Sequence, residues 1–282
     1  MEQSSYKPML SDTLEVISSA LSYDPNNIHY CQRNILNLDI TETEELSDIP
    51  LYKYFSLNNL SYMLNGKKLF VDNISKSWED CYENFFLKST FYREQSLIGT
   101  DNLIHGVFGQ SWTTKTESDA MWRIYSSDKN GIRIKTNAKK LFDAIYINDK
   151  AMANTWFGKV KYDVMQKIYQ DLNNEIQQQE LYQVFQSTLP KTQFMKRKEF
   201  DHEDEFRLIV MMDSEETVKY HQYKRIAYNI DIDDFIEEYC LDPRLLDGEF
   251  ETQKQKLIAL GADSNKIIKS NLYYFKPFTF DL

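Results

Sequence analysis

The chain has 282 residues, 42% of them hydrophobic and 14% aromatic, with a formal charge of −10, so it can bury the core of one large domain or two small ones and wholesale disorder is excluded. Scarce glycine (8) and proline (6) beside 19 tyrosines and 17 phenylalanines exclude collagen-like and linker-dominated architectures. A net-acidic chain does not hold nucleic acid by bulk electrostatics, which leaves only a local basic face for that purpose. The longest apolar run, Leu208 to Met212, is far shorter than the roughly 20 residues that span a bilayer. The opening MEQSSYKPML has neither the basic nor the apolar region of a signal peptide, and Cys31, Cys81 and Cys240 fit neither a disulfide framework nor a zinc site. A cytoplasmic protein with reduced thiols and no membrane partner is expected. No GxxxxGK[ST], GxSxG, GxGxxG or HExxH occurs, so P-loop, hydrolase, Rossmann and zincin readings have no support.

Residues 1–50 hold two basic and nine acidic residues, −7 of the total charge. Leu10, Leu14, Ile17 and Leu21 recur at helical spacing around the capping pair Asp12 and Glu15, until Asp24-Pro25 stops the helix. The segment reads as an acidic helical appendage, a separately packed cover or partner-docking element, ahead of a domain over 51–282. In that domain 51–55 is strand-like, 57–64 a short helix closed by Asn65-Gly66, and 68–72 a strand. A helix is expected over 78–94, a strand over 106–112, a helix over 118–126, and a strand over 131–136, where Ile132 and Ile134 alternate with Arg133 and Lys135. A short strand at 160–162 precedes one long Gln-rich helix over 164–189. Strands at 206–212 and 225–230 and helices at 233–239 and 252–260 complete an α+β domain with a mixed or antiparallel sheet, because the elements do not alternate regularly enough for a doubly wound fold.

Three constellations bear polar chemistry. On a strand, period-two alternation puts Glu203, Glu205 and Arg207 on one face and Phe206, Leu208 and Val210 on the other, with the two carboxylates about 7 Å apart by Cα. That is either an exposed edge strand with a charge ladder or an active-site strand. Ser111 and Thr113, flanking Trp112 at a strand end, either cap a turn or hold a ribose or a carboxylate. Met121, Trp122 and Tyr125 on the helix that follows have the spacing of core residues as readily as of a ligand wall. In Leu51-Tyr52-Lys53-Tyr54-Phe55-Ser56, Lys53 and Tyr54 project from opposite strand faces, as edge residues or as the lining of a cleft.

In this order the segments resemble a bacterial family of unknown function with the pattern L-Y-K-Y-x-S, an N-D-P-F-E-like stretch, C-F-S, M-W-x-x-Y and K-x-x-x-W-x-x-E-x-E-x-R-L. They stand here as Leu51 to Ser56, Trp78-Glu79-Asp80-Cys81-Tyr82-Glu83, Ser111-Trp112-Thr113, Met121-Trp122-Arg123-Ile124-Tyr125, and Lys196 through Phe200 to Glu203-Asp204-Glu205-Phe206-Arg207-Leu208. The strand order also resembles the ADP-ribosyltransferase fold, DarT-like toxins included, through Tyr54 to Leu60 and the Glu-x-Glu spacing. The resemblance implies NAD as substrate, no metal, and a toxin-type transferase whose acceptor is nucleic acid or protein, in a toxin–antitoxin or phage-defence module with an antitoxin as partner. It makes Glu205 the carboxylate that stabilises an oxocarbenium and Glu203 the group that orients the acceptor. Lys53, Tyr54, Ser56, Ser111, Thr113, Trp122 and Tyr125 would contact NAD, and Lys196, Arg197, Lys198 and Arg207 the acceptor. The competing class is a non-catalytic nucleotide- or peptide-binding module in which Glu203, Glu205 and Arg207 form a structural ion-pair network.

Overall fold

The computed structural model describes residues 13–15, 34–39, 43–78, 80, 82–98, 103–148, 155–180, 183–212 and 222–281. The strands are β1 Thr13–Glu15, β2 Ile35–Leu36, β3 Pro50–Ser56, β4 Lys68–Asn73, β5 Phe91–Arg93, β6 Ser96–Ile98, β7 Val107–Thr113, β8 Gly131–Asn137, β9 Thr155–Lys159, β10 Lys161–Asp163, β11 Met195–Arg197, β12 Glu205–Met211, β13 Arg225–Asn229, β14 Glu238–Leu241 and β15 Ile267–Lys269. The longer helices are α1 Leu57–Gly66, α2 Asp119–Tyr125, α3 Ala138–Asn148, α4 Met165–Ile176 and α5 Asp247–Ala259. The architecture is α+β around a mixed sheet, as its sequence pattern predicts.

The main sheet forks at β7. One edge of β7 pairs antiparallel with β12 along its whole length, from Thr113 opposite Glu205 to Val107 opposite Met211. The other edge is shared, Phe108 and Gly109 facing Asn73 and Asp72 of β4, and Thr113 facing Tyr52 of β3. From the fork, β4 leads to β13 and β1, β3 leads to β8, β14 and β15, and β12 leads to β9 and β2. Gln110, Ser111 and Trp112 lie in the gap, where peptide groups without ladder partners would be costly to bury. The Lys53 Nζ takes the place of a ladder partner, donating to the Ser111 carbonyl at 2.6 Å, while the Gln110 Nε2 donates to the Phe70 carbonyl of β4 at 2.9 Å and the Trp112 Nε1 to the Gln110 Oε1 at 2.9 Å.

Two cores clamp the trunk of the fork. Phe206, Leu208 and Val210 join the larger core with residues of α1 and α3, while Ile209 and Met211 join Ile168, Leu172, Val184, Leu189 and Phe194 in the second. β12 is therefore a central strand buried on both faces and not the exposed edge strand that a charge ladder allows. Its polar residues, Glu205 and Arg207, share a face with Ile209 and Met211.

Several expected elements differ. The helix expected over 78–94 is a run of turns over residues 82–88 followed by the β5–β6 hairpin, because Asn84, Glu94 and Gln95 take positive φ and Asp80 accepts a bond from the Tyr82 amide. The long helix over 164–189 stops at Ile176 and resumes as a π-helical turn, Val184–Thr188. Residues 233–239 divide into a helical turn, Ile232–Phe235, and β14. α1 is closed by Lys67 in the left-handed region rather than by Gly66. β9 and α3 carried no recognised signal. Most of the helix expected around Leu10 to Leu21 lies outside the described residues, and its described part, Thr13–Glu15, is a strand paired in parallel with Arg225–Ala227. Also within the first fifty residues, Ile35–Leu36 pairs with β9, and Leu46, on the 3₁₀ turn Thr43–Asp48, is packed in the larger core.

Leu46 is 1% exposed. Leu46→Ala is accordingly expected to cost ~2–5 kcal/mol in a urea titration, the range for deleting a buried leucine side chain; a loss below about 0.5 kcal/mol would place residues 43–48 outside the cooperative unit.

Candidate active site

A cavity of about 430 Å³ opens at the fork, within the size range of small-molecule sites. Its floor is the split edge of β7, its near wall is Tyr52, Lys53 and Tyr54 of β3 with Tyr125 of α2, and its far wall carries Asp72, Trp78 and Glu83. Lys196, Glu203 and Glu205 close one end.

Glu205 opens β12 directly across from Thr113, as Arg207 is across from Ser111, so antiparallel register places both hydroxyl residues on the face of the Glu205 side chain. Glu203 is not on the strand. It ends a 3₁₀ turn, Lys198–Glu203, and Asp204, at φ 43°, turns the chain so that the two carboxylates converge on one cation. An aspartate tolerates this left-handed conformation better than most residues, and the Asp204 carboxylate accepts a bond from the Thr114 hydroxyl.

The cation is Lys196. Its Nζ lies 2.7 Å from the Glu203 Oε2, 2.7 Å from the Glu205 Oε1 and 3.2 Å from the Glu83 Oε1. Arg207, 1% exposed, donates from Nε to the Glu205 Oε2 at 2.7 Å, from Nη2 to the Glu83 Oε1 at 2.6 Å and from Nη1 to the Gln193 carbonyl at 2.8 Å. Its guanidinium also stacks on Trp78 at 4.3 Å. Three carboxylates thus meet two cations. The Glu205 amide donates to the Tyr162 hydroxyl at 2.8 Å, which fixes the start of the strand.

These surroundings push the two carboxylates apart. Burial raises the Glu205 carboxyl, but Arg207 and then Lys196 outweigh it and hold the group well below the ordinary carboxylate range. Glu203 is pushed up to about 7 by burial and by the adjacent Glu205. At the fork, burial pulls the Lys53 ammonium down to about 8 against the attraction of Asp72 and Glu205. Tyr54 stacks on Tyr125 at 6.0 Å and meets Trp122 edge-on at 4.9 Å. The Tyr125 hydroxyl reaches the Glu203 Oε1 at 3.4 Å.

Of the residues singled out from sequence, the fold brings Lys53, Tyr54, Ser111, Thr113, Tyr125, Lys196, Glu203 and Glu205 to this cavity. Ser56 is elsewhere: it is the N-cap of α1, accepting from the Asn59 amide at 3.2 Å. Trp122 is fully buried behind Tyr54, and its Nε1 donates to Glu117 at 2.6 Å. The set expected to bind the acceptor does not form a surface. Lys196 and Arg207 are spent inside the carboxylate cluster, and Arg197 pairs with Asp80 at 2.8 Å and lies on Tyr82 at 4.3 Å, leaving Lys198 exposed. Two further cations near these in sequence or space are paired as well, Lys191 with Glu175 and Arg225 with Asp72. Asp72, Trp78, Glu83 and Tyr162 are site residues that sequence reasoning did not select. Trp78 and Glu83 had a signal, as the first and last residues of the N-D-P-F-E-like stretch. Among the described residues no group of three or more His, Cys, Asp or Glu side chains is placed to hold a metal ion, and no helix is long and apolar enough to cross a membrane.

Residues 121–208 match the model of a family described as a protein of unknown function (DUF2971). The matched stretch runs from Met121 to Leu208, the span between the M-W-x-x-Y and E-x-E-x-R-L motifs, in agreement with the resemblance read from the sequence. Among solved structures, the chain is similar to DarT of Thermus sp. 2.9 in complex with NAD+, at 14% identity and a TM-score of 0.36 over 80% of this chain and 98% of that one. It is similar to the same protein in complex with ADP-ribosylated ssDNA at 13% identity and a TM-score of 0.36, over 80% and 96%. No curated protein matches.

Two outcomes follow from the cluster. Arg207→Ala leaves two buried carboxylates short of a cation and is expected to cost about 3–5 kcal/mol in a denaturant titration. Glu203, whose carboxyl rises from 4.5 to about 7 on folding, adds stability that is fully present below the lower value and is lost as pH rises through the upper one. Melting temperatures should therefore fall less between about pH 5 and about pH 8 in Glu203→Gln than in the parent; parallel falls would show that Glu203 does not titrate there.

Proposed function

We propose that the protein is an NAD-dependent ADP-ribosyltransferase of toxin type, which breaks the bond between nicotinamide and ribose and passes ADP-ribose to a nucleic-acid or protein acceptor. The observation that carries this reading is Glu205, an ionised carboxylate fixed by Arg207 and Lys196 at the end of a cleft and facing the hydroxyl residues Ser111 and Thr113. When nicotinamide departs with the bonding pair, the ribose becomes an oxocarbenium-like cation, related to that of glycoside hydrolysis. A carboxylate already in place stabilises that charge more in the transition state than in the ground state, with no reorganisation at the moment of reaction. With Glu203 ionised, the three carboxylates outnumber Lys196 and Arg207 and make the end of the cleft negative. Glu203, raised to about 7 and with one oxygen 3.4 Å from the Tyr125 hydroxyl, is suited to orient the acceptor and take its proton. Lys53 and the Tyr54–Tyr125 wall supply a cation and ring faces for the dinucleotide. The resemblance of the motifs to ADP-ribosyltransferase toxins supports the same chemistry and a setting with an antitoxin partner.

Nicotinamide release from labelled NAD tests the reading. Glu205→Gln keeps the size of the side chain and removes its charge, and the rate should drop on the order of 10²–10³ while the protein stays folded. A folded Glu205→Gln protein as active as the parent would instead leave Glu203, Glu205 and Arg207 as a structural ion-pair network in a nucleotide- or peptide-binding module.

A further inference from the structure

Glu83 is the member of the cluster to which the transfer chemistry assigns no task. It comes from the turns at residues 82–88, far in sequence from β12, yet its Oε1 accepts from the Arg207 Nη2 at 2.6 Å and lies 3.2 Å from the Lys196 Nζ. Its side chain is 10% exposed and lines the cleft. The arrangement is a matter of charge count. Arg207 and Lys196 need two anions, and Glu205 alone supplies one, so without Glu83 the second would have to be Glu203. Geometry agrees, because Glu205 has both oxygens bound by the two cations, whereas Glu203 meets one of them, Lys196, through Oε2 and reaches the Tyr125 hydroxyl at 3.4 Å through Oε1.

We propose that Glu83 is the counter-ion that releases Glu203: by completing the charge balance of Lys196 and Arg207, it leaves the Glu203 carboxyl free to exchange a proton with the acceptor. This deepens the transfer reading and rests on it for the identity of the proton's donor, but the electrostatic claim stands by itself. The groups that face Glu203 are Lys196 from β11, Glu205 with Arg207 behind it from β12, Tyr125 from α2, Tyr162 from β10 and Glu83 from the turn. The Glu203 carboxyl is raised by its burial and then by the adjacent Glu205, against the pull of the shared Lys196, the direction expected of the third carboxylate beside two cations.

The test reads the carboxyl directly. In carbon-detected NMR of protein labelled at the glutamate carboxyl, with the Glu203 resonance assigned by its loss in Glu203→Gln, the Glu203 midpoint should move down by about one pH unit in Glu83→Gln, a tenfold change in proton affinity. The direction is set because removing a neighbouring negative charge makes the remaining carboxylate easier to ionise and more needed by the two cations. A Glu203 midpoint that stays in place or rises in folded Glu83→Gln overturns the proposal. If that variant does not fold, Glu83→Asp decides: the shorter side chain draws the charge back from Lys196 and Arg207, so the Glu203 midpoint should again move down, and one that stays or rises overturns the proposal. The acid limb of the transfer rate should move down with the NMR midpoint; a moved midpoint in a protein with no NAD turnover refutes the transferase and leaves the charge assignment intact.

Discussion

The interaction on which the rest of the molecule depends is the bond from Lys53 to the Ser111 carbonyl at the fork of the sheet. A continuous ladder would have zipped β3 and β4 along β7 and left no cleft. Because the two strands take opposite ends of one edge, three residues of β7 are left between them, and the Ser111 carbonyl that faces the gap must be satisfied by something other than a strand. The Lys53 ammonium does this, and a side chain is shorter than a strand is wide. The opening therefore remains, and because Tyr54, Ser111 and Thr113 stand on strands, their positions are as rigid as the sheet. A site on regular elements holds its geometry more closely than one built on loops.

The buried ion cluster at the end of that cleft is a poor way to gain stability, since desolvating charged groups offsets most of their attraction. What it supplies is specification. Arg207 is held by two carboxylates, a carbonyl and an indole, and it cannot swing; Glu205, bound to Arg207 and Lys196, cannot swing either. The matched motif acquires a physical meaning letter by letter. The lysine gathers three carboxylates and lies 4.5 Å over Phe200, the aromatic four residues on. The two glutamates face one cation from a turn and from a strand, and the arginine orders the second of them. The leucine after it, Leu208, points to the opposite face and anchors the strand in the larger core.

The same arrangement explains why a basic stretch need not be a nucleic-acid surface. Lys191, Lys196, Arg197, Arg207 and Arg225 all have carboxylate partners within the protein. Charge runs in a sequence report composition, whereas attraction for phosphate depends on the charge left after internal pairing.

Elements whose evidence is local were legible in the residue order. Alternation revealed β8, the strand at 206–212 and the helix at 118–126 were placed close to β12 and α2, and Tyr54, Tyr125, Lys53, Ser111, Thr113, Glu203 and Glu205 could be selected because motif residues cluster in short windows. The failures share one cause. The stretch from residue 78 to 94 has helical composition, but Asn84 at positive φ and a partner 124 residues away, Arg207 for Glu83, are properties of the folded chain. Likewise, nothing along β12 distinguishes an exposed charge ladder from a buried one; the second core, from residues 165–194, covers it. Side-chain chemistry and periodicity are written in the order of the residues, whereas the fork at β7, the count of charges around Lys196 and the burial that separates Glu203 from Glu205 arise when distant segments exclude water from the same space.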